Sequence, residues 1–225
     1  MNENLLDISD GKLYDRNDMV KVGCHDCVGC SSCCKNMGQS ILLDPYDIWQ
    51  LTTNLKKSFE ELLVASIELH MEEGLILPNL RMVQLAAASD EEGCSFLDKD
   101  GRCSIHTFRP GICRLFPLGR NYEPNRLQYF LLKDACPVQG KSKLKVEKWL
   151  GIPNSKAYQE YLIRWHNLTK AVRSLVGASL EEENKAKAIT MDFLSSFFIK
   201  PYNCKDFFEE IHLRMDQWEE RNGKH

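Results

Sequence analysis

Apolar positions recur at helical spacing in the second half of the chain and in short bounded runs in the first half. In the first half, Asp44 and Pro45 suit the N-cap and first position of a helix, and Ile48, Leu51 and Leu55 follow at helical spacing. Ser58 and Glu61 have capping-box spacing. The stripe behind them, Phe59, Leu62, Leu63, Ile67 and Met71, predicts a second helix running to Gly74, with His70 on its solvated face. Residues 41–43, 75–77, 81–85 and 126–132 are short apolar runs bounded by turn formers, and they predict small strands. Residues 1–23 read as a polar lead-in with a turn at Gly11. In the last third, Asn154, Ser179 and Asn203 are expected to cap three helices. Their stripes run through Tyr158, Tyr161, Leu162, Trp165, Leu168, Val172 and Leu175, then Ala186, Ile189, Phe193 and Phe197, then Phe208, Ile211, Met215 and Trp218. The aromatic residues at these spacings read as core. The expected fold class is α+β, mostly helical: a cysteine-rich region with small strands over residues 24–137, and a helical region over 144–225 packed on it.

A chain of 225 residues with 43% hydrophobic and 27% charged content is long enough to bury a core without covalent staples. The net charge of −3 offers no electrostatic reason to bind nucleic acid, and Lys141, Lys143, Lys145 and Lys148 read as a solvated stretch leading into a helix. No apolar run approaches the ~20 residues of a membrane span, and the first residues carry no signal-peptide pattern. The expected location is the cytoplasm, where ten cysteines are kept reduced.

Those cysteines carry the chemistry. Cys27-x-x-Cys30-x-x-Cys33-Cys34 opens an array that continues with Cys94, Cys103 and Cys113 and ends at Cys136-Pro137. Two residues between ligands let the backbone turn so that both sulfurs face one metal while its amides share their charge. Cys27, Cys30 and Cys33 repeat that spacing, and Cys136, followed by proline as in ferredoxin-type ligand runs, is the best fourth member. Adjacent side chains diverge, so Cys34 is expected to face a second set with Cys94, Cys103 and Cys113. The inventory suits either Zn(Cys)4 sites or iron–sulfur clusters, and the pairing stays open. The Asp98-Lys99-Asp100-Gly101 turn sits where a hairpin joining Cys94 and Cys103 needs one. Four thiolates around such a centre leave net negative charge, and Arg109 and Arg114, beside Cys113, are expected to donate to it from behind the ligands. His106 could be a ligand but reads rather as a residue behind the ligands or a structural one, Cys24 as a spare thiol or a ninth ligand, and Cys204 as a small buried residue.

At these residues the chain resembles the YkgJ family of CxxCxxCC, zinc- or iron-chelating, cysteine-cluster proteins. The resemblance covers residues 24–137. It rests on the opening array, Cys94-Ser-Phe-Leu, Cys103-Ser-Ile-His-x-x-Arg-Pro-x-x-Cys113-Arg-x-Phe-Pro, Cys136-Pro, and the link through Asp44-Pro-Tyr-Asp47-Ile. It implies metal binding by the eight cysteines and no particular reaction. Flagellin lysine methylases look as if they share the cysteine region.

Several enzyme classes lack their motifs. The spacing Cys-x3-Cys-x2-Cys begins at Cys30 and Cys34 but meets Met37, and no glycine-rich phosphate loop or His-Glu-x-x-His occurs. The reading favoured here is a metal-binding protein with an iron–sulfur cluster, of the 4Fe–4S type, and a redox partner. The alternatives are a structural zinc module that presents its helices to a protein partner, and an enzyme related to the flagellin lysine methylases.

Overall fold

The computed structural model describes residues 3–24, 30–86, 90–179, 182–203 and 205–223. The architecture is α+β. Strands come as separate antiparallel pairs, and helices gather toward the C-terminus.

The first 23 residues do more than lead in. They form helix α1 (Glu3–Ile8) and strand β1 (Met19–Gly23). Strand β1 pairs with β8 (Ser142–Lys145), so the lysine stretch expected to be a loop is partly a strand. Val20 and Val22 alternate inward along β1, a period of two too short to stand out among polar neighbours. Residues 41–43 form a single bridge, Leu42 to Asn79, rather than a strand.

Helix α2 (Pro45–Leu55) begins with the expected Asp44 cap, in a reciprocal box with Asp47. Helix α3 (Phe59–Ala65) has the expected box between Ser58 and Glu61 but stops far short of Gly74. Residues that read as its second half form strand β2 (Ile67–Glu72), which turns back at Glu73-Gly74 into β3 (Leu75–Leu80). Both turn residues have positive φ, 47° and 85°, the requirement of a two-residue hairpin turn. The helix ends because Arg81 donates to the carbonyls of Leu63 (2.6 Å), Val64 (2.8 Å) and Ile67 (3.0 Å), satisfying acceptors that a longer helix would use. His70 thus stands on a strand, its Nδ1 2.7 Å from Asn79 Oδ1.

Strand β4 (Met82–Gln84) pairs with β5 (Glu92–Cys94). After the short helix α4 (Gly111–Leu115), β6 (Leu118–Glu123) pairs with β7 (Arg126–Leu131). Helix α5 (Val146–Leu150) then leads to α6 (Ser155–Ala178), capped as expected by Asn154. Helix α7 (Glu183–Leu194) begins after Glu182, because Ser179 closes α6 with its hydroxyl on the Leu175 carbonyl (2.9 Å). Helix α8 (Phe207–Asn222) is capped by Asp206, which accepts from the Phe208 and Glu209 amides, and not by Asn203.

One contiguous set of buried side chains runs from Val20 to Trp218. In the helical part Trp165 stacks on Phe193 at 5.2 Å, and Phe193 meets Trp218 edge-on at 5.8 Å. A second aromatic group, Tyr46, Trp49, Tyr158, Tyr161 and Phe207, joins α2 to α6 and α8. Arg214, 5% exposed, holds the turn before α8 by donating to the carbonyls of Ser196, Lys200 and Pro201 and lying 3.7 Å over the Tyr202 ring.

Phe193 is fully buried, so Phe193→Ala is expected to lower unfolding stability by about 3–5 kcal/mol in urea titrations. Leu213, 55% exposed on α8, is the matched control: Leu213→Ala is expected to change it by no more than about 0.5 kcal/mol.

Candidate metal centre

Six cysteines, Cys30, Cys33, Cys34, Cys94, Cys103 and Cys113, line one cavity of about 310 Å3. They come from three separate stretches of chain, and each is held there by identifiable bonds.

Cys33 and Cys34 lie in a single 3-10 turn, Ser32–Cys34. The chain leaving that turn is fastened to β5: Lys35 bridges Gly93, the Asn36 amide donates to the Glu92 carbonyl (2.9 Å), and Asn36 Oδ1 accepts from the Glu92 amide (3.0 Å). This brings the pair beside Cys94 at the end of β5. Strand β5 is set in turn by Arg81, whose carbonyl accepts from the Ser95 amide. Cys103 follows the predicted turn. Asp98 Oδ1 accepts from the amides of Asp100 and Arg102, Gly101 takes a φ of 72°, and Leu97 bridges Cys103. Cys113 sits in α4, whose first amide, that of Gly111, donates to Asp47 Oδ1 at 2.7 Å.

The division into two sets of four does not appear in this geometry. Cys33 and Cys34 do not diverge: their sulfurs are 4.0 Å apart, and both line the same cavity as Cys94, Cys103 and Cys113. A 3-10 turn winds three residues per revolution, and here it leaves consecutive side chains on one wall. Cys136, assigned to the first set, is not among the cavity's lining residues; its carbonyl accepts from Lys141 Nζ at 2.8 Å. Cys24 is buried at the end of β1 and does not line the cavity either. Cys27 and Cys204 lie outside the described residues. None of the eight described cysteines is in a disulfide.

The two arginines separate. Arg109 lines the cavity with His106, to which its guanidinium is bonded, and its buried Nε has no hydrogen-bond partner among the described residues. Arg114 is not on the cavity wall. It donates to the carbonyls of Thr107 (2.5 Å), Arg109 (2.9 Å) and Leu150 (3.4 Å), and so fixes the ligand-bearing loop against α5. Its expected role behind the ligands becomes that of a backbone clamp. Trp149 of α5 completes the wall, with its Nε1 donating to the Leu115 and Phe116 carbonyls.

The electrostatics fit a cation-requiring site. Burial pushes the thiols of Cys94, Cys103 and Cys113 up, and the other thiols add to this. Cys34 is raised by its bond to Cys33 and by burial, whereas that same bond, helped by the Arg109 charge, brings Cys33 down to about 7. The raised thiols of Cys94, Cys103 and Cys113 cannot all ionise unless positive charge enters the cavity. Soft sulfur donors in this number suit zinc or iron, and Arg109 on the wall supplies a donor for the excess negative charge. Among the described residues, no three Cys, His, Asp or Glu side chains converge closely enough to hold a single metal ion.

Residues 26–137 match the family described as "CxxCxxCC: Putative zinc- or iron-chelating domain". Over that region, about half of the chain, it is similar to this family of zinc- or iron-chelating domains. No curated protein and no solved structure matches the chain. No helix among the described residues is long and apolar enough to cross a membrane.

Asp47 is the residue at this site whose part sequence reasoning missed. It was legible as the third residue of a capped helix, but its contact with Gly111 spans 64 positions. Burial, then the neighbouring Asp44, pushes its carboxyl up to about 8.

The raised thiols set a pH response for the metal-free protein. A thiol whose folded pKa lies above its unfolded value of ~8.5 stabilises the fold below that pH and loses the contribution as pH rises through the folded value. Cys33 acts in the opposite sense, but its contribution is complete once the pH exceeds the unfolded value. Metal-free, reduced protein is therefore expected to unfold at progressively lower urea concentration as pH rises above ~8.5. Metal-loaded protein, its ligands already ionised, is expected to show a shallower slope over the same range. Parallel urea titrations with and without chelator read the difference.

Proposed function

We propose that the cavity holds an iron–sulfur cluster and that the protein exchanges single electrons with a protein partner. The observation that carries this reading is the convergence of six cysteines from three chain segments on one cavity of about 310 Å3. The described donors are not drawn together tightly enough for one ion. A polynuclear core spreads its thiolate ligands more widely. Four of Cys30, Cys33, Cys34, Cys94, Cys103 and Cys113 would hold it, with Arg109 donating to the sulfur charge. A cluster bound there supplies reversible one-electron chemistry. The chain's own residues exclude water on the side of Ile41, Leu80, Phe116 and Trp149 and compensate charge on the side of Arg109. Because the ligands are thiols, the reading requires a reducing compartment such as the cytoplasm.

One observation favours zinc as the second reading. The 4.0 Å separation of the Cys33 and Cys34 sulfurs is close to the ~3.8 Å edge of a tetrahedron with Zn–S bonds of ~2.3 Å. Under that reading the metal is structural, and the helical surface is what a partner meets.

Protein purified without oxygen is expected to absorb broadly near ~400 nm, to contain iron and acid-labile sulfide in equal amounts, and to bleach reversibly with dithionite. A colourless protein with zinc and no sulfide would overturn the cluster in favour of zinc. Cys103→Ser is expected to lose most of the metal and to melt at lower temperature, because metal binding and folding are coupled at such sites. Metal analysis and thermal unfolding of the same sample check both.

A further inference from the structure

We propose that Asp47 is a positioning residue for the metal centre, acting through the Gly111 amide on Cys113. The inference rests on the reading that Cys113 ligates metal.

Asp47 is 3% exposed, and both its oxygens are engaged. Oδ2 accepts from the Asp44 amide at 3.1 Å, which closes the cap of α2, and Oδ1 accepts from the Gly111 amide at 2.7 Å, at the start of α4. Losing the Oδ1 bond would leave a buried amide unsatisfied. The position of Gly111 is constrained from the other side as well. A Cβ there would lie 2.1 Å from the Tyr158 hydroxyl, which itself accepts from buried Arg120 at 3.1 Å. Gly111 is therefore held between a carboxylate of α2 and a phenol of α6.

Helix α4 has five residues, too few to hold a direction by itself. Its direction is set by what grips its ends. The Asp47 bond grips the first residue, and the Arg114 clamp grips the loop before it and the end of α5. Cys113 is two positions past Gly111, on the same turn. The angle at which its sulfur enters the cavity thus follows from the Asp47 contact, although Asp47 itself does not line the cavity.

The test uses the full chain, reduced and metal-free, titrated with cobalt(II) under nitrogen. The readouts are the near-ultraviolet sulfur-to-cobalt charge-transfer band and the cobalt affinity. Asp47→Asn keeps the side-chain volume but offers one acceptor oxygen for two amides. It is expected to weaken cobalt binding by about tenfold or more and to lower the band to the level of Cys113→Ser. In the Cys113→Ser background it is expected to change neither readout further. Ser58→Ala removes a cap of neighbouring α3 and is the control for lost stability alone; it is expected to keep the wild-type band and affinity. The proposal is overturned if Asp47→Asn matches wild type, or if Asp47→Asn and Ser58→Ala shift both readouts alike. A wild-type chain with no thiolate–cobalt band would overturn the metal reading itself, before any variant is made. If Asp47→Asn does not fold, amide exchange in the zinc-loaded wild-type protein decides. A Gly111 amide protected about a hundredfold or more is expected, and one that exchanges like an exposed amide overturns the proposal.

Discussion

Burial of thiols around one cavity is the constraint on which the cysteine region depends. Cys94, Cys103 and Cys113 are raised by it, and the neighbouring thiols add to the effect. The cysteines do not hold this arrangement themselves; the surrounding chain does. Asn36 fastens the first cysteines to β5, Asp98 folds the loop to Cys103, Arg114 ties the loop before Cys113 to the helix beyond, and Arg109 sets a half-buried cation on the cavity wall.

The sheet structure is subordinate to this task. Among the described residues, four antiparallel pairs do not merge into one sheet, so no continuous ladder joins them there. Cohesion comes instead from side chains that bond to backbone across pairs, as Arg81 does between α3, β2 and β4. It also comes from helices that close over the top. The aromatic group around Tyr46 and Tyr158 joins the helical part to α2, so the metal centre and the helices share one core.

What could be read in the sequence divides along the reach of the interactions. Caps set by residues three apart were legible, as at Asp44, Ser58 and Asn154. The turn at Asp98 was legible for the same reason. The helix expected to reach Gly74 was not, because Arg81, far along the chain, captures the carbonyls that would have continued it. Ile67 and Met71 fit a helical stripe, yet the Glu73-Gly74 turn makes them a strand. The cysteine array itself was legible from spacing. Its grouping was not, since the approach of Cys33 and Cys34 depends on a 3-10 turn and on a bridge to Gly93. Arg109 and Arg114 looked equivalent in sequence, and only their partners separate them.

The pairing of β1 with β8 has a consequence in time. Met19 meets Lys145, so this strand pair closes the stretch of chain that carries the cavity cysteines. A ribosome adding ~5–20 residues each second delivers Cys30 on the order of ten seconds before the strand that closes the loop. During that interval the first thiols are exposed to whatever oxidant or loose metal surrounds the nascent chain, with none of the grips that later define their places. The cell's handling of this protein must therefore begin before its fold does.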